Sequence, residues 1–317
     1  MLTILDGGMG RELSRRGVHD NTGLWSAQAL LDAPEIVLQV HKDFIAAGAK
    51  IITTNSYSTI PSYLGKSDLA RSYVELTHLA GQLARQAAQE SCKEEVSKER
   101  AHKVEVKVAG SLPPLSESFR PDLVPSGRDA ATIYESMVKA LEPNVDLFLC
   151  ETMSSGAEAL HAATAAKKHG NGKPVYVSWT LDERPGKGLR SGESIAQALA
   201  LIEPMDIEAY LFNCTSPEAI LKALKELVAL TNKPIGGYPN RFNKVDPKWT
   251  LDNDTKMGLR TDIDIAFFVE MAQQFEAAGA TIIGGCCGIG PVYIEALAQA
   301  QSQVKAQAQA NKSAPLS

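Results

Sequence analysis

Two adjacent cysteines close the run Ile282-Ile283-Gly284-Gly285-Cys286-Cys287-Gly288, and a third ends Leu211-Phe212-Asn213-Cys214. Three thiolates drawn to one point form a soft ligand set that suits Zn²⁺. A structural zinc is closed by four protein ligands, whereas three leave a coordination position for a substrate. Neighbouring side chains on a regular strand point to opposite faces, so Cys286 and Cys287 converge only where the strand has ended. Gly284, Gly285 and Gly288 give the backbone the dihedral freedom to bend there. The competing account is three small core residues or a redox pair. The glycine bracket and the third strand-end thiol favour a metal. The other two of the five cysteines read differently: Cys150 alternates with Glu151 and faces the helices, and Cys92 lies in a charged helical stretch.

Two carboxylates occupy comparable positions. Asp6 ends the first apolar run, and Glu151 ends another in which Leu147, Leu149 and Glu151 share one side. Beside a metal pocket the pair suits a substrate ammonium group; a general acid/base pair and simple solvated carboxylates are the other readings. Thr54 and Asn55 add hydrogen-bonding groups at a third strand end, or merely loop polarity. The stretch Gly8-Met9-Gly10-Arg11-Glu12-Leu13 lacks the third glycine of a dinucleotide fingerprint. All six histidines fall in helices or connections away from strand C-termini, which argues against a histidine-based hydrolase. Ser111 and Ser178 lack a nucleophile-elbow context.

The elements that must position these residues alternate along the whole chain. Strand-like runs occur at Thr3 to Asp6, Lys50 to Thr54, Val104 to Gly110, Asp146 to Glu151, Val175 to Thr180, Ala209 to Cys214, Pro234 to Tyr238 and Ala280 to Gly284, with helical apolar spacing between them. Eight such units predict an α/β fold of the (β/α)8 TIM barrel type, with an open doubly wound sheet as the alternative. Helix-to-strand links such as Ala47-Gly48-Ala49 and Ala278-Gly279-Ala280 are brief. Strand-to-helix links, Ser111 to Arg128, Leu181 to Glu193 and Pro239 to Arg260, are long. Elaboration on one face alone marks the C-terminal end of a barrel, where active sites of this architecture are built. Residues 1–300 are expected to form one barrel domain and 301–317, rich in Gln, Ala and Ser, a flexible tail. Glu90 to Lys103, dense in mixed charge, reads as a solvated extension of the second helix.

Composition narrows the partners. A 317-residue chain with 44% hydrophobic and 22% charged residues buries a sizeable core, and a net charge of -5 supplies no basic field for nucleic acid. No apolar run spans a membrane and the start, Met1 to Asp6, has no signal-peptide pattern, so a cytoplasmic protein with small-molecule substrates is expected. Oligomeric state is left open.

The sequence resembles the homocysteine S-methyltransferase family through Leu5-Asp6-Gly7-Gly8-Met9-Gly10, Leu24-Trp25-Ser26-Ala27, Thr54-Asn55-Ser56-Tyr57, Glu151-Thr152, Asn213-Cys214, Gly237-Tyr238-Pro239-Asn240 and Gly284-Gly285-Cys286-Cys287-Gly288. Members share a zinc-binding barrel and include S-methylmethionine-, S-adenosylmethionine- and betaine-dependent enzymes and a module of methionine synthase. The resemblance implies Cys214, Cys286 and Cys287 as zinc ligands and Asp6 and Glu151 on the homocysteine amino group. It implies Thr54 with the backbone around Gly7 and Gly8 on the carboxylate. Trp25 and Tyr238-Pro239-Asn240 look more like the sulfonium-dependent branch than the betaine branch. Gly110-Ser111-Leu112-Pro113-Pro114 departs from the more glycine-rich form of the S-methylmethionine enzymes. The implied activity is zinc-dependent methyl transfer from a sulfonium donor to homocysteine, with a betaine-dependent enzyme and a non-catalytic zinc and homocysteine-binding module as alternatives. A positive donor suits aromatic rings, and of Trp25, Tyr57, Trp179, Tyr238 and Trp249 at most two are expected to touch it.

Overall fold

Short runs that are apolar on both faces make strands buried on both sides, which is the requirement of a parallel barrel wrapped in helices. The computed structural model describes residues 2–18, 23–97, 105–243 and 257–313. Its strands are β1 (Thr3–Ile4), β2 (Ile51–Thr53), β3 (Lys107–Leu112), β4 (Leu147–Met153), β5 (Val175–Trp179), β6 (Ala209–Asn213), β7 (Ile235–Tyr238) and β8 (Ile282–Ile283). The helices between them are α1 (Met9–Arg15), α2 (Gln28–Asp32), α3 (Pro34–Ala46), α4 (Pro61–Leu64), α5 (Tyr73–Ser97), α6 (Gly127–Leu141), α7 (Gly156–His169), α8 (Ile195–Ile202), α9 (Pro217–Leu227) and α10 (Ile265–Ala277), with α11 (Pro291–Ser313) last.

All strands are parallel in the order β1-β8-β7-β6-β5-β4-β3-β2. A parallel bridge between Leu5 and Ile51 joins the first strand to the second: Lys50 N donates to Ile4 O at 2.7 Å and Asp6 N to Ile51 O at 3.0 Å. The fold is a (β/α)8 TIM barrel. Leu5, Ile51, Ala109, Leu147, Leu149, Ala209, Leu211, Tyr238 and Ile282 fill its interior. Phe148, Cys150, Val177, Phe212 and Ile283 belong to the larger cluster between strands and helices. The alternation along β4 therefore puts Leu147 and Leu149 inside and Cys150 outside, as its sequence spacing predicts.

Helix starts carry their own signals. Ser155 accepts from Glu158 N at the start of α7, Ser194 and Gln197 form a capping box on α8, and Asp264 accepts from Phe267 N on α10. Two boundaries differ from the sequence expectation. β3 begins at Lys107 and runs to Leu112, so Ser111 is a strand residue and not the start of a loop. α11 continues past Gln301 to Ser313. Among the described residues no helix is long and apolar enough to cross a membrane.

Candidate metal centre and substrate site

The three thiols converge at the C-terminal mouth. The sulfurs of Cys214, Cys286 and Cys287 lie within 4.8 Å of one another, with Cys214 and Cys287 at 3.9 Å. A tetrahedral ion with Zn–S distances of about 2.3 Å sets its sulfurs about 3.8 Å apart, so this donor set fits such an ion in element and spacing. Hydrogen bonds from its two neighbours hold the Cys214 thiol well below the usual thiol range, while sharing one site pushes Cys286 and Cys287 up.

Cys214 is aimed by strain and by one amide. Its φ of +51° is rarely adopted by a residue with a Cβ. The preceding Asn213 is fully buried; its Oδ1 accepts from Thr152 N at 2.8 Å and Ser178 Oγ at 2.7 Å, and its Nδ2 donates to Thr152 Oγ1 at 2.8 Å. One side chain thus ties the ends of β4, β5 and β6. Thr152 is itself left-handed at φ +61°, in a register irregularity between Cys150 and Met153.

The cysteine pair is held by its backbone. Cys286 N donates to Pro239 O at 2.8 Å, and Arg241 N donates to Cys287 O at 2.9 Å. Of the three glycines, only Gly288 has a left-handed φ, +85°. Gly284 and Gly285 are needed for space instead of dihedral freedom, which corrects the sequence expectation: a Cβ would stand 2.5 Å from Leu5 Cβ at the first and 2.2 Å from the Ile289 side chain at the second. Gly8 meets the same restriction, since its Cβ would fall 2.7 Å from Cys286 O.

Asp6 and Glu151 face the mouth from β1 and β4, nearly out of solvent. Asp6 accepts from Thr53 N at 2.7 Å and Thr53 Oγ1 at 3.1 Å. Burial, partly offset by these bonds and reinforced by the charge of Glu151, pushes its carboxyl up to about 7. Glu151 accepts a very short hydrogen bond from Ser111 Oγ, and its other oxygen faces the Tyr238 hydroxyl at 3.5 Å. Burial pushes it, too, up to about 7. A cation placed between the two would favour their charged forms. Thr54 sits beside them, but its hydroxyl accepts from Ser111 N at 3.0 Å and pairs with Ser56 Oγ at 2.8 Å. The Gly8 N–H donates to Ile289 O at 2.9 Å.

Several residues of the mouth carry no sequence signal of their own. Phe119, from the β3–α6 connection, and Phe242, from the β7–α10 connection, pack with Cys214, Met257, Leu259 and the cysteine pair. Arg11 donates to Met257 O and lies over the Phe242 ring. Among the aromatics singled out by sequence, Trp25 and Tyr57 meet edge to face at 5.6 Å, and the Tyr57 hydroxyl bonds Ser118 Oγ at 2.6 Å. Tyr238 points inward. Trp179 is fully buried in the layer outside the barrel, stacked on Tyr210, and does not reach the mouth. Trp249 lies outside the described residues.

The profile of the homocysteine S-methyltransferase family matches residues 3–301. The chain belongs to this family. It is 29% identical over 308 residues to the homocysteine S-methyltransferase of Escherichia coli K12, covering 93% of this chain and 94% of that one. It is also 29% identical over 316 residues to a selenocysteine Se-methyltransferase of Brassica oleracea var. italica, covering 93% and 87%. The metallated form of the homocysteine methyltransferase MmuM from Escherichia coli superimposes with a TM-score of 0.78 at 28% identity, covering 94% of this chain and 96% of that one. The chain is therefore an enzyme, and a non-catalytic binding module no longer describes it.

Proposed function

We propose that this enzyme transfers a methyl group from a sulfonium donor, S-methylmethionine or S-adenosylmethionine, to the thiol of L-homocysteine at a zinc ion held by Cys214, Cys286 and Cys287. The observation that carries the reading is the meeting of three sulfurs within 4.8 Å with two nearly buried carboxylates at one barrel mouth. Bound Zn²⁺ would supply the acidity that keeps a thiol of pKa about 8.5 in its thiolate form at neutral pH.

The chain's own residues do the rest. Asp6, aimed by Thr53, and Glu151, aimed by Ser111, hold the α-ammonium of homocysteine. The backbone around Gly7 and Gly8 takes the α-carboxylate, the Gly8 N–H exchanging its bond to Ile289 O and Thr54 its bond to Ser56. The acceptor sulfur is thereby fixed in direction, and rate comes from aligning it with the donor methyl. A lone pair of the thiolate forms the new S–C bond while the sulfonium S–CH3 bond breaks. That electron pair stays on the departing sulfur, which leaves as a neutral thioether, and the thiol proton passes to solvent. A reducing location, the cytoplasm, keeps the three cysteines available as ligands.

The test is a side-by-side assay of S-methylmethionine, S-adenosylmethionine and betaine with homocysteine. Turnover is expected with a sulfonium donor and not with betaine, to disappear on chelation and to return with zinc. Full turnover in metal-free protein overturns the mechanism. Selenocysteine belongs in the same assay as a second acceptor, because two relatives at 29% and 30% identity are named for it.

A further inference from the structure

One buried ion pair near the thiols is not used by the chemistry above. The β5–α8 connection doubles back through an antiparallel bridge between Leu181 and Leu189, which sets Glu183 and Arg190 side by side. Arg190 Nη2 donates to Glu183 Oε1 at 2.9 Å, and the two side chains are only 6% and 7% exposed. Glu183 is held in turn by Ser216 N, 3.3 Å from its other oxygen. The Phe119 ring covers the guanidinium at 4.8 Å and packs against Cys214 on the same side of the mouth. Phe119 adopts φ +67° to be there. The Nε of Arg190 is buried without an acceptor.

Burying an ion pair is at best neutral against an apolar replacement, and an orphaned N–H costs about 1–3 kcal/mol. A guanidinium left one acceptor short, under a ring that touches a thiol of the metal set, points to a ligand that brings the acceptor. The Phe119 ring lies between the two, over the guanidinium and packed against Cys214. A group reaching Arg190 therefore belongs to a molecule whose other end lies over the three sulfurs. Homocysteine is already held at both polar ends by Asp6, Glu151 and the β1 and β2 termini in the reading above, so the molecule is the methyl donor.

We infer that Arg190, oriented by Glu183 and covered by Phe119, binds the carboxylate of the methyl donor's amino-acid end, and so selects donors that carry one. A guanidinium fork is suited to this, since it offers a carboxylate two N–H groups in one plane. The inference rests on the sulfonium reading and narrows it to methionine-type donors. Glu183 is a positioning residue: it fixes the guanidinium through its bond to Nη2.

The experiment compares S-methylmethionine with its decarboxylated counterpart, (3-aminopropyl)dimethylsulfonium, in the zinc-loaded wild type and in Arg190→Met. Wild type is expected to favour S-methylmethionine in kcat/KM by about 10- to 100-fold, the worth of a charge-assisted hydrogen bond, chiefly through KM. Arg190→Met is expected to lose that preference, with KM for homocysteine changed by less than about twofold. Where the methionine variant does not fold, Arg190→Lys carries the same comparison, and a loss of preference is again expected because a point charge does not replace the planar fork. A wild-type ratio near one, or a variant that keeps the full preference, overturns the inference and leaves the sulfonium reading intact. Absence of turnover with both donors and with S-adenosylmethionine overturns the sulfonium reading, and the role of Arg190 falls with it.

Discussion

The two ends of the barrel differ in how they handle left-handed backbone. At the base, where helices return to strands, the described residues with positive φ are Gly48, Asn171, Gly172, Asp206 and Gly279. Glycine has no Cβ to clash, and Asn and Asp tolerate this region through local hydrogen bonds. At the mouth the residues with positive φ include Trp25 (+51°), Phe119 (+67°), Thr152 (+61°) and Cys214 (+51°). Each such residue costs on the order of 1–3 kcal/mol and persists only where its surroundings hold it. The base follows local preference. The mouth gives up stability to hold a thiol, two rings and a bulged strand end in place.

The largest effect that tests this contrast is removal of one of the three clustered thiols. Cys286→Ala is expected to lose bound zinc, measured by elemental analysis, and to lower kcat by on the order of 10³-fold or more, because an unactivated thiol is only a few per cent thiolate at neutral pH and is no longer positioned. A variant that keeps both metal and rate removes the reason for the strained mouth.

Next in size is the support beneath Cys214. Asn213→Ala deletes three buried hydrogen bonds and is expected to cost about 2–4 kcal/mol in chemical denaturation and about 10- to 100-fold in zinc affinity. The matching change at the base, Asn171→Ala, forces a Cβ-bearing residue without a local partner to stay at φ +54°. It should cost about 1 kcal/mol and leave zinc affinity and kcat untouched. Equal effects of the two on zinc would erase the distinction between the ends.

Much of the base and of the cysteine cluster was legible in the sequence, for a physical reason. Alternation along β4 is local, so Leu147, Leu149 and Cys150 reveal their faces without tertiary information. The Cys286-Cys287 pair is conspicuous because regular strands cannot aim both residues inward. What stayed hidden depends on contacts between loops far apart in the chain. Phe119 and Phe242 carry no sign of meeting at Cys214, and Ser111 looks like the start of a loop until the β3–β4 register puts it opposite Leu149, with its hydroxyl on Glu151. Thr53, not only Thr54, matters at β2, because its N–H and hydroxyl both turn to Asp6. Trp179 misleads for the opposite reason: its place at a strand end is correct, but its alternation faces the helices.

A smaller effect sharpens the electrostatic side of the mouth. Asp6, raised to about 7 by burial, must be ionised to hold an ammonium group, so protonation competes with homocysteine. KM for homocysteine is expected to rise as pH falls from about 8 to about 6, by up to about tenfold per unit for each of Asp6 and Glu151 that takes up a proton. Asp6→Asn keeps an oxygen for Thr53 but no charge; it should raise KM about 10-fold at pH near 8 and reduce the dependence to the part that Glu151 contributes. A wild-type KM that is level across this window assigns the ammonium to other groups.

The smallest expected effect belongs to the helical layer, away from the mouth. His41, on α3, is fully buried and both its ring nitrogens lack a hydrogen-bond partner. Burial alone lowers its pKa from 6.5 to about 4, so the folded protein holds the neutral ring. The unfolded chain binds the extra proton between these values. Stability attributable to His41 is therefore intact above about pH 6.5 and drains away as pH falls toward about 4. At pH near 5.5 the loss amounts to about 1.4 kcal/mol, one unit below the unfolded value. His41→Met, similar in length and without a titrating group, should remove this part of the acid sensitivity in urea titrations at about pH 5.5 and pH 7.5 while leaving kcat and zinc content unchanged. If the variant loses stability in parallel with wild type as the pH drops, His41 is not the source. The acid sensitivity would then lie with other groups that gain protons on unfolding, and burial in the helical layer would no longer separate it from the mouth.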